Sequence, residues 1–310
     1  MIISASRRTD IPAFYHEWFL NRIREGFLLT KNPYNNQVRR VSLLPQDIDA
    51  IVFWTRNPSK MIPELVQLRD FNYYFQYTIT GYPKILDSHG LNPYKAISVF
   101  QELSKLIGPK KIIWRYDPII ISTATPLEEH KRLFKKIASN LSRYTNRVVI
   151  SFADLYKKTE KNLNLIPDFS YRDITQSNEE LSELCFFLSS IAHQYDMKIS
   201  TCAESINLED FSIEKGKCID DKLLKELFGI SVSGGKDPGQ RESCGCIKSV
   251  DVGQYNTCLH GCRYCYATFN DKTVKENFKK HNPHSPFILG ESEELHGESQ
   301  NGIIMQHKLF

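Results

Sequence analysis

Lys111-Ile112-Ile113-Trp114-Arg115-Tyr116-Asp117 is a short β-branched and aromatic run that ends on charged residues. A polar turn and a helix-like stretch over 126–143 follow it. The same unit recurs outward in both directions. Strands are predicted at 1–6, 49–55, 72–80, 147–153, 197–201 and 249–255, and helices near 12–25, 58–70, 92–107, 178–195 and 220–228. Several of these helices open on a proline or an Asn-Pro pair, which suits a first turn. Strands alternating with helices argue for an α/β protein with parallel strands. Seven strands without a Gly-rich nucleotide turn fit a TIM-like (β/α) barrel, partial or complete, better than a doubly wound sheet. No G-x-G-x-x-G and no Walker-type loop occurs, so phosphate cradling by those routes is excluded. The barrel is expected over 1–270, with 271–310 a polar tail, Glu-rich from Glu291 to Glu298, that packs on it or extends from it.

Composition sets the outer bounds. The chain has 310 residues, 41% hydrophobic and 25% charged, which supports a sizeable core. A formal charge of +4 falls well short of the load that marks an obligate nucleic-acid binder, so a nucleic-acid partner is allowed but not favoured. The first residues show no basic region leading into a long apolar run, and no apolar stretch reaches about 18 residues. A cytoplasmic protein without a membrane partner is expected. In that compartment eight cysteines are unlike a disulfide framework and more like metal or catalytic sites. Cys185 comes first and lies in the apolar run Leu184–Leu188, where packing explains it; all the others fall from Cys202 onward.

In a barrel, function gathers at the carboxyl ends of the strands. Here those ends carry Ser6-Arg7-Arg8-Thr9-Asp10, Thr55-Arg56-Asn57, Thr78-Ile79-Thr80, Arg115-Tyr116-Asp117, Asp154, and Cys202 with Glu204. Salt bridges closing the rim would account for any one of them. So many polar groups at equivalent positions favour a polar ligand.

The segment Tyr255-Asn256-Thr257-Cys258-Leu259-His260-Gly261-Cys262-Arg263-Tyr264-Cys265 follows the predicted strand 249–255 directly. A four-iron cluster normally takes four thiolates. Three cysteines in C-x3-C-x2-C spacing reach three irons and leave the fourth for a chelating substrate, such as the amino and carboxylate groups of S-adenosylmethionine. Gly261 permits the positive φ that a tight wrap requires, and Tyr264 offers an aromatic face to the adenine. The competing readings are a zinc knuckle completed by His260 or one of Cys244 and Cys246, a cluster used only for electron transfer or structure, and plain buried thiols.

With Tyr264 before its last cysteine, this segment resembles the radical SAM motif, C-x3-C-x-aromatic-C. The chain also resembles the DUF1848 family, from Ile3-Ser4-Ala5-Ser6-Arg7-Arg8-Thr9-Asp10-Ile11-Pro12 through Gln240-Arg241 and Cys244-Gly245-Cys246 to Tyr264-Cys265-Tyr266-Ala267. The resemblance implies an enzyme holding a [4Fe-4S] cluster on Cys258, Cys262 and Cys265. Fed by an electron donor such as flavodoxin or ferredoxin, it would cleave S-adenosylmethionine to begin radical chemistry on an unknown substrate. Radical SAM enzymes carry the cluster loop after the first strand, whereas here it follows the last, which implies a circular permutation. Strand 249–255 then stands for the first strand and MIISAS for the second. On that alignment Ser4, Ser6 and Arg7 take the place of the methionine-binding motif, Thr78 and Thr80 face the ribose, and Arg115 with Asp117 the carboxylate or substrate.

Cys202, Cys218, Cys244 and Cys246 are four further thiols, enough for a second [4Fe-4S] cluster or a zinc site. Redox-active thiols and unliganded cysteines are the other readings. Two alternatives to the enzyme stand: a non-catalytic zinc or iron–sulfur barrel protein, and a nucleic-acid repair lyase.

Overall fold

The computed structural model describes residues 1–33, 35–232 and 235–290, together with the backbone of 304–306. The Glu-rich segment from Glu291 to Glu298 lies outside the described residues. In chain order the elements are β1 (Ile2–Ala5), α1 (Ile11–Phe14), α2 (His16–Glu25), β2 (Phe27–Lys31), β3 (Val38–Ser42), β4 (Ala50–Thr55), β5 (Tyr73–Thr78), α3 (Pro93–Ile107), β6 (Ile112–Ile119) and β7 (Ile121–Ser122). They continue with α4 (Leu127–Leu141), β8 (Arg147–Phe152), α5 (Lys157–Leu163), β9 (Tyr171–Arg172), α6 (Asn178–Gln194), β10 (Lys198–Cys202), β11 (Glu214–Gly216), α7 (Asp221–Phe228), β12 (Val250–Asp251), α8 (Asp271–Lys279) and β13 (Ile304–Gln306). The chain divides into two compact units: residues 1–73, 249–259 and 267–310 form the first, and 74–248 with 260–266 the second.

In the first unit β12, β1 and β4 run parallel, with Ser4 opposite Asp251 and Ile3 opposite Ile51. The antiparallel hairpin β2–β3 stands beside them in sequence, and β13 pairs parallel with β3. Asp10 caps α1 by accepting from Ala13 N, and its other carboxylate oxygen accepts from Arg56 N at 2.7 Å. The expected helix over 12–25 is broken at Tyr15, whose φ of −133° is not helical. The polar tail as far as Gly290 docks on α2. Trp18 Nε1 donates to Ser285 O at 3.0 Å, and Asn21 Nδ2 to Pro283 O at 2.8 Å, while Phe287 is buried with Leu29 and Val38. The stretch expected as a helix over 58–70 is instead a 3-10 segment over Ile62–Leu68. Pro58 and Pro63 each lack an amide hydrogen, and the segment closes through i to i+3 bonds such as Glu64 N to Met61 O at 3.0 Å.

In the second unit β5, β6, β8, β10 and β11 run parallel, with Thr78 opposite Arg115, Arg115 opposite Val149 and Thr201 opposite Lys215. Parallel strands buried on both faces read as continuous apolar runs, and Val148, Ile150 and Ile112 are fully buried. α4 turns His130, Leu133, Phe134, Ile137, Ala138 and Leu141 inward, the three-and-four spacing of one helix face. Phe134 lies against Trp114 with ring centroids 4.8 Å apart and planes tilted by 31°, and meets Tyr116 edge-on at 5.2 Å. Cys185 is buried in α6, and burial pushes its thiol up to about 12. The parallel α/β architecture expected from the alternation is present, with the strand expected over 249–255 reduced to β12.

His130 is a built-in stability probe. Its Nδ1 lies 2.9 Å from the Tyr116 hydroxyl and its Nε2 2.9 Å from Ile120 O, which fits a neutral ring that accepts from the first and donates to the second. Burial pushes its pKa down from 6.5 to about 4. A lowered histidine pKa means that the folded state binds fewer protons. The contribution is therefore whole above about pH 6.5 and is lost as pH falls towards 4, amounting to about 3 kcal/mol. Urea unfolding at pH 7.5 and pH 4.5 should show a loss about 2–3 kcal/mol greater in the native chain than in His130→Gln. Equal losses would refute the assignment.

Candidate metal centres

The cysteine loop is closed at its base within the first unit. Asn256, at φ +59°, donates from its backbone N to Ala267 O at 2.9 Å. The same residue accepts from Phe269 N at 2.6 Å on its side chain and from Asn277 Nδ2 of α8 at 3.0 Å on its carbonyl. Thr257 O accepts from the Tyr15 hydroxyl at 2.7 Å, just before Cys258. Burial, and after it the neighbouring Cys258 thiolate, raises the Tyr15 pKa above its ordinary value. Cys258 is half-buried.

The second unit holds the other half of the loop, 260–266. Cys262 and Asp87 form an isolated antiparallel bridge, Arg263 N donates to Leu86 O at 2.9 Å, and His89 N donates to His260 O at 3.0 Å. Gly261 has the expected positive φ, +65°, and a Cβ there would stand 2.9 Å from His89 Cδ2. Cys265 N closes a turn onto Cys262 O at 3.1 Å, and both cysteines are half-buried. Tyr264 turns inward: its hydroxyl donates to Asp87 Oδ1 at 2.7 Å and its ring meets Tyr82 edge-on at 5.9 Å. The aromatic residue exposed in this loop is Tyr266. From α5, Lys158 Nζ donates to Tyr266 O at 3.2 Å; burial lowers its pKa, with the Cys265 thiolate acting in the opposite direction.

The strand-end residues have partners that spacing does not reveal. Ser4 Oγ and Ser6 Oγ donate to the two oxygens of Asp251 at 2.7 and 2.6 Å, and Arg7 N donates to Asp251 Oδ2 at 2.8 Å. The Arg7 guanidinium lies 5.0 Å from the Trp54 ring centroid. Thr78 is half-buried at the end of β5, while Thr80 is buried and donates to Asp87 Oδ2 at 3.2 Å. Arg115 is ion-paired with Asp117 and donates to Gln76 Oε1 at 3.3 Å and to Cys218 Sγ at 2.8 Å. Asp117 also accepts from the Ser151 hydroxyl. Asp251 and Asp87, the acceptors that organise these groups, were not among the expected site residues.

The second unit also gathers the thiols of Cys202, Cys218, Cys244 and Cys246. Cys202 Sγ and Cys218 Sγ are 3.0 Å apart; Cys218 hydrogen-bonds Cys246 as well, and Cys246 hydrogen-bonds Cys244. Tyr74 Oη and Gln76 Nε2 donate to Cys218 O at 2.6 and 3.0 Å, and Ile219 N donates to Cys246 Sγ at 3.4 Å. The hydrogen bond with Cys218, and then the charge of Arg115, lower the Cys202 pKa to about 7, and the same bond moves the Cys218 thiol up. Nearby, burial raises Glu204 to about 7 while its carboxylate accepts from Phe152 N at 2.9 Å. Among the described residues, no three histidine, cysteine or acidic side chains close on one point as the ligands of a single metal ion do.

The chain is thus a parallel α/β protein with cysteines concentrated in loops beyond its strands. The DUF1848 family, described as a domain of unknown function, matches residues 2–267, and the chain belongs to it. No curated protein matches the chain. Among solved structures, a putative alpha-L-fucosidase from Bacteroides thetaiotaomicron VPI-5482 is similar at 12% identity and a TM-score of 0.28. That match covers 72% of this chain, which spans 61% of the fucosidase's length. Among the described residues no helix is long and apolar enough to cross a membrane.

Proposed function

We propose that the chain is a radical S-adenosylmethionine enzyme whose [4Fe-4S] cluster is held by Cys258, Cys262 and Cys265. The observation that carries this reading is the C-x3-C-x2-C spacing within one loop whose base is pinned by Asn256 N to Ala267 O. Three thiolates without a carboxylate among the loop's residues suit iron and sulfide, and one iron is left for a chelating substrate. When bound, the cluster supplies one electron that breaks a carbon–sulfur bond of the sulfonium.

The chain's own residues hold and position. Asp87 anchors the loop by accepting from Tyr264, and Lys158 fixes the carbonyl of Tyr266. Tyr266 presents the exposed ring on which a nucleoside base would stack. Ser4, Ser6 and Arg7 act through Asp251, orienting a carboxylate that suits an ammonium group. In this reading the parallel strands form a (β/α) barrel, partial or complete, permuted so that β12 and β1 take the usual first and second places.

The test is anaerobic reconstitution with iron and sulfide, then dithionite and S-adenosylmethionine. Formation of 5′-deoxyadenosine or methylthioadenosine is expected. A fully loaded protein that yields neither, with an electron spin signal indifferent to S-adenosylmethionine, would be a binding protein and not this enzyme.

A further inference from the structure

Outside the loop proposed to bind S-adenosylmethionine, the second unit collects a thiol set that the proposed reaction leaves unused. It draws on three separate pieces of chain. Cys202 ends β10, Cys218 lies two residues beyond β11, and Cys244 and Cys246 come from the loop before β12. That loop is folded back by backbone bonds: Asp237 N donates to Cys246 O at 2.9 Å, Ile247 N to Ile219 O at 3.2 Å, and Cys244 N to Arg241 O at 3.0 Å. Ser243 Oγ adds a bond to Ala203 O at 2.7 Å, which ties the loop to the segment beyond Cys202.

Cys218, Cys244 and Cys246 are buried, and Cys202 is half-buried. Packing alone gives no reason to bring four sulfurs into a hydrogen-bonded row, because a thiol is a weak donor and a weak acceptor. A second observation points the same way. The buried guanidinium of Arg115 is aimed at Cys218 Sγ, 2.8 Å away, although Asp117 already balances its charge. A buried cation facing sulfur matches a group whose thiolates carry surplus negative charge. All four donors are thiols, the set that a four-iron cluster takes with one thiolate to each iron.

We propose that Cys202, Cys218, Cys244 and Cys246 ligate an iron–sulfur cluster of their own, separate from the one on the loop at Cys258–Cys265, with Arg115 as its charge partner. All four thiols are then ligands, and no iron in this cluster is open to substrate. The inference stands whether or not S-adenosylmethionine is cleaved.

The test removes the other candidate first. In the full-length chain carrying Cys258→Ala, Cys262→Ala and Cys265→Ala, anaerobic reconstitution with ferrous iron and sulfide should leave two to four irons per chain, with sulfide in about equal number. Adding Cys218→Ala or, separately, Cys244→Ala should remove that iron. Near-ultraviolet circular dichroism of the apo chains checks that each variant keeps its fold, and Cys218→Ser provides a conservative second variant at the same position. Iron that persists after Cys218 and Cys244 are replaced in folded chains would overturn the proposal. So would stoichiometric zinc in place of iron, or a chain without iron carrying a Cys202–Cys218 disulfide seen as a loss of two mass units. Absence of nucleoside products from the native chain, with this iron retained, would count against the enzyme reading alone.

Discussion

Cys262→Ala is expected to lower 5′-deoxyadenosine formation by about a thousandfold or more while leaving the chain folded. Replacing even an outer-shell partner of a metal ligand costs about 10- to 100-fold, so a direct ligand in a set of three should cost more. The fold should survive because the backbone of Cys262, and not its sulfur, makes the local bonds: its carbonyl accepts from Cys265 N at 3.1 Å and it forms the bridge to Asp87. An alanine keeps both. His260→Ala is the contrasting variant. His260 is buried and its carbonyl accepts from His89 N at 3.0 Å, a bond that any residue keeps. If His260 shields the loop without being a ligand, iron per chain should fall by less than about twofold. Product measured by chromatography after reduction, together with iron per chain, reads both variants. Native rates from Cys262→Ala would end the proposal, and complete iron loss from His260→Ala would transfer the ligand role to that histidine.

The strands were legible because a strand buried on both faces leaves a continuous β-branched and aromatic run, as 111–117 does. The hairpin β2–β3 was missed for the opposite reason. Arg39 and Arg40 sit in the middle of β3, and the Asn-rich link after Lys31 reads as loop, although Val38 and Val41 bury their side chains. The cysteine loop was legible as spacing, and Gly261 as a point of positive φ. The partners of the polar strand ends were not, since Ser4 and Asp251 are 247 positions apart and meet only through strand pairing. One signal was present: an acidic residue inside the run Ser249-Val250-Asp251-Val252 is unusual in a strand and asks for local donors. Asp87 gave no such signal. It lies in an irregular link and acquires its role from partners such as Thr80 and Tyr264. The count of four further cysteines was plain, but their order in space came from β10 pairing with β11 and the 236–247 loop folding back on it.

Asp251→Ala should destabilise the first unit by about 3–5 kcal/mol. The carboxylate receives four donors: Ser4 Oγ at 2.7 Å, Ser6 Oγ at 2.6 Å, Arg7 N at 2.8 Å and Gly253 N at 3.0 Å. Ser4 and Ser6 are buried, so alanine would strand hydroxyls and amides where water does not reach, at about 1–3 kcal/mol for each group left without a partner. Partial relaxation keeps the total below the full sum. Asp251→Asn retains one acceptor oxygen but turns the other into a donor facing donors, and should cost about 2 kcal/mol. Gly253→Ala probes the same place from the backbone side. A Cβ there would lie 2.0 Å from Ser6 Oγ and 2.5 Å from Ser6 Cβ, so Ser6 must leave Asp251 to make room. In the double variant Asp251→Ala with Gly253→Ala, the two costs should therefore overlap, giving a combined loss smaller than the sum of the single losses by about 1 kcal/mol or more. Urea unfolding of the four chains measures this. Strict additivity, or an Asp251→Ala loss under about 1 kcal/mol, would show that the carboxylate is solvated and that the serines find other partners. Under the proposed function the coupling also bears on chemistry, because Ser4, Ser6 and Arg7 would reach a substrate only through the carboxylate they hold. A variant that keeps the fold but turns the carboxylate into an amide should then weaken binding of an ammonium-bearing ligand more than it weakens the unit itself.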